Sequence, residues 1–427
     1  MNDKNLKEHF YIRPMQVFKF GGASIKDAQA VKNVGSIIKN HGKKPLVIVV
    51  SAMGKTTRAL EQLLESIGSD YFLSNFNYIK EYHNGILSDL FAKDHSVFSE
   101  VESLFTQLNE SVTESDKVLR HARIVSFGEL ISSVIIANYL EQIGLPVYWQ
   151  YAPDVIKTER QYSEGNVLWE ETQRAIKGKI EPILERQIMV TQGYIASSSE
   201  GIITLGKEGS DFTAAIFAAS LEADKVTIWK DVPGILNADP KEFTDPVQMY
   251  KLDYKEASEM TYYGATVIHP KTIKPLALHN IPLEVRSFDD PQARPTIIHS
   301  YAERELEPSI ILKRNQCLFS FKVLDYTFVD EENLATIFKV LHELNLPINM
   351  MQNSAISLSV CFNYDQHKVE LLLQTLEDRF TMYYNTDLKL ITIKNFTEAV
   401  LSKYMPQQED ILLEQRTRNN YRALVRE

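Results

Sequence analysis

The chain has 427 residues, enough for two or three domains of ordinary size. Apolar residues make up 44% and charged residues 24%, a globular balance that excludes wholesale disorder. The 46 Lys and Arg against 56 Asp and Glu leave a net charge of −10, which excludes a basic face for nucleic acid or an anionic membrane but not a few local cations for small anions.

The two cysteines, Cys317 and Cys361, are too few for a disulfide framework or a Cys-rich zinc site. Both fall in alternating apolar segments and read as small buried thiols. Residues 1–16 are polar and patternless, with no apolar stretch of signal-peptide type. From Val17 strands and helices alternate. VFKF ends in Gly21-Gly22 and gives way to a helical stretch over about residues 26–40. LVIVV (46–50) is a continuous β-branched run, the pattern of a strand buried on both faces. It is far too short to span a bilayer, as are the other unbroken apolar runs, and the chain is expected to be soluble and cytoplasmic. Residues 58–142 read as mostly helical. Strand patterns return at PVYW (146–149), QIMVTQGYI (187–195), GIITL (201–205) and KVTIW (225–229). Between the last two a helix opens at Ser210-Asp211, with Phe212, Ala215, Ile216 and Ala219 on one face. The alternation predicts an α/β fold with a mostly parallel sheet sandwiched by helices. Ligands collect at the C-terminal ends of such strands, so the functional loops should follow VFKF, LVIVV, GIITL and KVTIW.

The pattern changes near residue 300. LFSFKVL (318–324) alternates, and a helix follows with Leu334, Ile337, Phe338, Leu341 and Leu344 on one face. INMMQN (348–353) and ISLSVCF (356–362) form a hairpin, a second helix carries Val369, Leu372, Leu373 and Leu376, and LKLITI (388–393) closes the set. That order is βαββαβ, an α+β ferredoxin-like module. DILLEQRTRNNYRALV (410–425) repeats the layout of INMMQNSAISLSVCF, as an abridged second copy with no room for both helices.

Glycines after a strand let backbone N–H groups approach a phosphate, so Lys19-Phe20-Gly21-Gly22-Ala23-Ser24 reads either as an anion loop with its own lysine or as an ordinary strand-to-helix turn. Ser51-Ala52-Met53-Gly54-Lys55-Thr56 invites a P-loop reading, which fails because Val49 stands where the first glycine is needed. Gly206-Lys207-Glu208-Gly209-Ser210-Asp211 opens a helix whose free N–H groups attract anions, Ser210 alone being readable as a helix cap. Asp231 sits before Pro233-Gly234 as a turn former or a site residue, and Glu129 is a helix carboxylate. No His or Cys cluster has metal-ligand spacing, and no G-x-G-x-x-G follows the first strand, which argues against a dehydrogenase.

Together these segments resemble a known family. KFGGAS, VVSAMGKTT, FGELIS, TLGKEGSDFTAA, WKDVPGILNADPK and MTYYGATVIHPKTIKPL follow the order and spacing of the aspartate kinases, within the amino-acid kinase family, and IPLEVRSFDDPQARPT resembles the end of that catalytic domain. The resemblance implies an extension over residues 1–16, a catalytic domain over 17–300, an amino-acid-binding ACT-like domain over 312–382 and an abridged second ACT-like segment over 383–427. It further implies transfer of the ATP γ-phosphoryl to the β-carboxylate of L-aspartate, the first step toward lysine, threonine and methionine. Lys19 matches the lysine on the transferring phosphate, with Gly21 and Gly22 beneath it. Ser51 and Thr56 match hydroxyls near the substrate, and Glu129 the carboxylate for aspartate's ammonium group. Lys207 stands where the family has an arginine for the α-carboxylate. Ser210 matches a substrate serine, and Asp211 the acid that positions the catalytic lysine. Lys230, Asp231, Leu236, Asp239, Lys241, Thr266 and Val267 fall in the nucleotide-binding stretch. Three positions depart from the pattern. Lys207 gives up a bidentate fork for a point charge, Thr266 replaces a lysine, and Glu208 brings an anion beside the helix start, either turned to solvent or paired with Lys207.

A carboxylate acceptor with a pKa near ~4 is already ionised at neutral pH and needs no general base. The work falls to alignment and charge cancellation by Lys19, loop N–H groups and Mg²⁺ carried by ATP. A closing lobe that excludes water is expected around an acyl phosphate product. The ACT-like module implies feedback by lysine or threonine, with Asn349 as an effector contact, and a homodimer or higher homo-oligomer. The alternatives are a kinase for another small acidic amino acid, against which FGELIS and the appended module argue, and a non-catalytic amino-acid sensor, against which Lys19, Glu129, Ser210 and Asp211 argue.

Overall fold

The computed structural model describes residues 14–161, 164–265, 268–301, 307–324, 328–405 and 410–427. These divide into two compact units, one within Met1–Ile235, Gln248–Ser258 and Val267–Arg304, the other within Leu236–Val247, Glu259–Thr266 and Glu305–Glu427. Up to residue 300 the strands are β1 (Gln16–Phe20), β2 (Leu46–Val50), β3 (Val147–Gln150), β4 (Thr158–Gln161), β5 (Glu164–Val167), β6 (Ile188–Gln192), β7 (Ile195–Ser198), β8 (Gly201–Thr204), β9 (Lys225–Lys230), β10 (Ile235–Leu236), β11 (Gln248–Met249), β12 (Lys251–Asp253), β13 (Leu283–Ser287) and β14 (Thr296–His299). The helices are α1 (Ala28–His41), α2 (Thr56–Glu65), α3 (Phe72–Leu90), α4 (Val97–Glu110), α5 (Lys117–Gln142), α6 (Trp169–Lys179), α7 (Glu181–Leu184), α8 (Gly209–Leu221), α9 (Tyr254–Tyr263) and α10 (Pro270–Leu278).

The first unit is built on an eight-stranded sheet in the order β12-β14-β13-β9-β1-β2-β6-β3, parallel except where β13 meets β14. This is the mostly parallel sheet with helices that the alternation calls for. Every residue of β1 and β2 is buried, as continuous apolar strands must be when helices cover both faces. Lys19 lies opposite Val49 of β2 and Ile228 of β9, so the central three strands end together. Phe20 and Trp229 stack across that register at 6.1 Å.

GIITL is a strand, but not of this sheet: β8 pairs antiparallel with β7 in a separate ribbon. The run QIMVTQGYI breaks at Gly193-Tyr194, where Tyr194 takes a left-handed φ of 70° and turns the chain out of the sheet. The expected functional loop after GIITL is kept, carried by a ribbon instead. Helix α5 is the one described helix apolar and long enough to cross a membrane, with a mean hydropathy of 1.3 over its most apolar window. Because 89% of that window is buried inside the protein, α5 is accounted for as a core helix.

The second unit holds β15 (Ser309–Val323), β16 (Ile348–Asn353), β17 (Leu358–Asn363), β18 (Phe380–Lys394), β19 (Ile411–Arg416) and β20 (Asn420–Arg426), with α11 (Glu331–Glu343), α12 (Gln366–Leu376) and α13 (Glu398–Tyr404). Its six strands form one antiparallel sheet in the order β16-β17-β15-β18-β20-β19. β15 and β18 pair from Ser309↔Lys394 to Val323↔Phe380, with register shifts near Gln316. One apolar cluster, including Phe319, Phe321, Ile337, Val360 and Leu372, gathers α11 and α12. A second, including Ile310, Ile393, Leu401, Tyr421 and Ala423, takes α13. A third joins Met350 and Cys361 to Leu388, Leu390, Leu413 and Leu424. Cys317 and Cys361 are free and buried, and burial pushes both thiols up to about 12.

Candidate active site

The loops after β1 and β2 interlock. Gly22 is required there, because a Cβ would meet the Ala52 carbonyl oxygen at 2.7 Å, and the Gly54 N–H donates to the Gly22 carbonyl at 3.0 Å. Helix α5 fixes the second loop from behind. The Ser132 hydroxyl donates to the Ser51 carbonyl at 2.6 Å, and the Ala52 N–H donates to Glu129 Oε1 at 3.2 Å. A cleft of about 550 Å³ opens at these loops, lined by Lys19, Gly22, Ser51, Glu129, Lys207, Ser210, Asp211 and Lys230 among others.

Its electrostatics are built around one buried carboxylate. Asp211, in the first turn of α8, pairs with Lys19 at 2.6 Å and with Lys230 at 3.7 Å. Burial opposes its charge, and Lys19 and then Lys230 outweigh that cost and hold the carboxyl below its ordinary value. Two ammonium groups are thus anchored on one anion, and the Lys19 Nζ arches over Gly21, 3.5 Å from where a Cβ would stand. Glu129 is the converse case. It is 3% exposed, its Oε2 has no hydrogen-bond partner, and burial pushes its carboxyl up to about 8 against the lowering effects of the Ala52 N–H and Lys19. A buried carboxylate with one unused oxygen is arranged to receive a cation.

The cleft also contains residues that sequence patterns did not single out: Thr57, His121, Glu164, Tyr194 and Thr204. Four of these come from α5's first turns and the two ribbons, which carry no motif. The Glu164 carboxylate packs against Gly206, whose φ of 76° and lack of a side chain make that approach possible. Glu208 takes a left-handed φ of 54°, lines the cleft without an ion pair to Lys207, and keeps Oε2 buried and unbonded. Thr56 lies behind the cleft wall, its hydroxyl donated to the Met53 carbonyl at 2.6 Å and 3.5 Å from His83 Nε2. His83 is fully buried, which lowers its pKa to about 4 and keeps it neutral.

Asp231 is exposed at the end of β9. Leu236, Asp239 and Lys241 belong to the second unit, where the Asp239 carboxylate accepts the Lys241 N–H at 2.9 Å. Thr266 and Val267 lie outside the described residues. In the second unit Asn349 is buried and its amide is fully engaged. It donates to Gln316 Oε1 at 2.7 Å and Asn363 Oδ1 at 2.9 Å, and accepts from Lys313 at 2.8 Å.

Residues 14–287 match the model of the amino acid kinase family, more than half of the chain. The chain belongs to that family. Within the family it is similar to lysine-sensitive aspartokinase 3 of Escherichia coli, 29% identical with 81% of this chain and 77% of the relative covered. It is equally similar to bifunctional aspartokinase/homoserine dehydrogenase 1 of Arabidopsis thaliana, 29% identical over 85% of this chain, but it spans only 42% of that relative's length. Among solved structures it resembles E. coli aspartokinase III in complex with aspartate and ADP, with a TM-score of 0.84, 25% identity and 96% of both chains covered. It also resembles the same enzyme with lysine and aspartate, at a TM-score of 0.80 and 26% identity, again over 96% of both chains.

Proposed function

We propose that this family member is an aspartate kinase, moving the γ-phosphoryl of ATP to the β-carboxylate of L-aspartate to give 4-phospho-L-aspartate. The observation that carries the reading is the pairing of opposites in one cleft: two lysines anchored on Asp211, and across from them Glu129 with a free buried oxygen. Similarity to an aspartokinase that binds aspartate and ADP supports it.

In this mechanism Glu129 takes the acceptor's ammonium group and Lys207 its α-carboxylate. The β-carboxylate is then aimed at the phosphorus already ionised, so the nucleophile itself has no proton to lose before attack. Lys19 and the N–H groups at Gly21, Gly22 and the start of α8 spread the charge of the equatorial oxygens as the bond to ADP breaks. Asp211 holds Lys19 in place, a positioning role. Lys230 and Asp231 are proposed for the nucleotide. Among the described residues no group of three or more His, Cys, Asp or Glu could hold a metal by itself. Asp211 is the carboxylate ion-paired with Lys19 and Lys230, and a sparse donor set of this kind fits Mg²⁺ delivered on the triphosphate, which needs only one or two protein carboxylates. When bound, the ion neutralises phosphate charge.

Regulation by lysine or threonine and assembly into a homodimer or larger belong to the same proposal. An effector seeking the Asn349 amide has to displace Gln316, Asn363 or Lys313. At edge strand β16 the carbonyls of Asn349 and Met351 accept from Arg422 and Gln415, but the Met351 and nearby Ile356 side chains are open to solvent, which supports an apolar contact with a like chain. The deciding assay supplies ATP, Mg²⁺ and L-aspartate and traps the acyl phosphate as its hydroxamate, with lysine or threonine added in parallel. Product is expected with aspartate and not with glutamate; the reverse preference overturns the substrate. Lys19→Ala should lower kcat by about 10² or more, the scale for removing one charge-stabilising donor. Lys230 remains 3.7 Å from Asp211 and keeps that carboxylate from being stranded, so circular dichroism should show a folded variant.

A further inference from the structure

A second hollow of about 430 Å³ lies among α6, α8, α10 and the β4–β5 hairpin, and nothing in the proposed reaction uses it. Its walls are Val167, Trp169, Phe212, Pro275 and Leu278, with the Trp169 and Phe212 rings edge to face at 6.3 Å. Trp169 is 40% exposed and Leu278 74%, unusual for large apolar groups around a concave site unless something covers them. The rim is cationic. Lys274 has no ion-pair or hydrogen-bond partner among the described residues, and Lys271 pairs only with Glu164. Glu222, an acid that interacts with His279, is taken by Lys177 at 2.6 Å. Two ammonium groups therefore face one carboxylate over an aromatic hollow.

Glu164 lines this hollow and the catalytic cleft alike. Its carboxylate rests against Gly206, the residue before Lys207, and Glu164, Lys207 and Lys271 all act on the imidazole of His269. Lys271 is the one cation paired with Glu164 among the described residues, so whatever draws Lys271 away leaves that carboxylate unpaired against Gly206, next in the chain to Lys207.

We propose that the hollow binds a small carboxylic acid with an aromatic or branched apolar body, its body against Trp169 and Phe212 and its carboxylate on Lys274 and Lys271, and that occupancy weakens acceptor binding in the cleft by releasing Glu164 toward Lys207. The second half rests on the reading of Lys207 as the acceptor's α-carboxylate partner; the first does not. The carboxylate matches the rim charge, and the hollow falls within the range of roughly 300–1,000 Å³ over which proteins bind such ligands.

The test uses the full chain with three probes of one shape: 3-phenylpropionate, its neutral amide, and the matching amine. Binding is read by tryptophan fluorescence and by calorimetry. The carboxylate is expected to bind saturably, the amide about tenfold more weakly, the amine not at all, and Lys274→Glu to weaken the carboxylate about tenfold, one charge-assisted hydrogen bond. Equal binding of the three probes, or none, overturns the site. So does self-association that Leu278→Asp abolishes while no probe binds, because a second copy then fills the face. In the kinase assay saturating 3-phenylpropionate should raise KM for L-aspartate and leave kcat unchanged, and Glu164→Gln should remove that effect. Binding without the KM shift overturns the coupling alone. The binding arms stand even if the chain fails to phosphorylate aspartate, so the two failures are distinguishable.

Discussion

Glu129 is held protonated by its surroundings, and that state has two measurable consequences. Its carboxyl titrates at about 8 in the folded chain against 4.5 ordinarily. The native state therefore holds a proton that the unfolded chain has released at every pH between those values. The resulting stability is complete below pH 4.5 and is lost as pH rises through about 8, a change on the order of a few kcal/mol. Glu129→Gln has no proton to lose. Its melting temperature should overtake the parent's progressively from about pH 5 to about pH 9, and scanning calorimetry at several pH values reads the crossing. A constant offset would contradict the burial account. The same group predicts how an amino-acid acceptor binds. An ammonium entering beside Glu129 needs the carboxylate, so binding near neutral pH should expel close to one proton and tighten as pH rises toward 8. Titration calorimetry in buffers of different ionisation enthalpy counts that proton. No net release would mean the ammonium sits elsewhere.

Helix α8 shows which parts of an element a sequence reveals. The helix starts at Gly209, a residue before Ser210-Asp211, with Glu208 rather than Ser210 at its cap position and with burial nearly all round rather than on one face, yet its existence and its period are legible. What lies in front of it is not. The β4–β5 and β7–β8 ribbons bring Glu164, Tyr194 and Thr204 to the cleft by chain turns that leave no motif. Nor does spacing tell which neighbour faces the ligand: Thr56 and Thr57 are adjacent, yet Thr57 lines the cleft and Thr56 points back to Met53. The backbone at Glu208 is a sharper case, since only the folded chain reveals the left-handed residue that starts the helix. Replacing it in Glu208→Gly relieves ~1–2 kcal/mol of backbone strain, gives back ~0.5–1 to the unfolded chain and forfeits ~0.3–1 of attraction to the helix start. Those terms nearly cancel, so thermal stability should move little. Affinity should move. Removing an anion from the mouth of an anion-binding helix is expected to lower KM for L-aspartate about 2–5-fold, with kcat unchanged. A KM that rises would show Glu208 to be a substrate ligand.

At the scale of the whole chain, the break in pattern near residue 300 is real in the sequence, because helix-and-parallel-strand periodicity gives way there to antiparallel alternation. It does not describe where every earlier segment packs. The chain enters the second unit at Leu236–Val247 and again at Glu259–Thr266 before passing into it after Arg304. Ala238 and Phe243 join the cluster of Ile310, Ile393, Leu401 and Tyr421, and the Ala238 backbone bridges to Ile310. Lys394, 1% exposed, meets Glu259 at 2.6 Å, and the Lys313 ammonium donates to the Tyr262 carbonyl at 3.0 Å. Sequence periodicity misses such excursions because they are short, at 12 and 8 residues, and take their partners from residues 50 or more positions away. A fragment ending at Arg304 would therefore keep the main sheet and its glycine loops yet leave both excursions without the partners that bury them. Such a fragment should bind a dye for exposed apolar surface, unfold over a broader temperature range than the full chain, and lose protease resistance first at 236–247 and 259–266. Restoring residues 305–427 as a separate chain should recover part of that protection, because the strands that cover Ala238 and Phe243 all lie there. A fragment that melts as sharply as the intact chain, with those two segments resistant, would mean that they fold on the first unit alone.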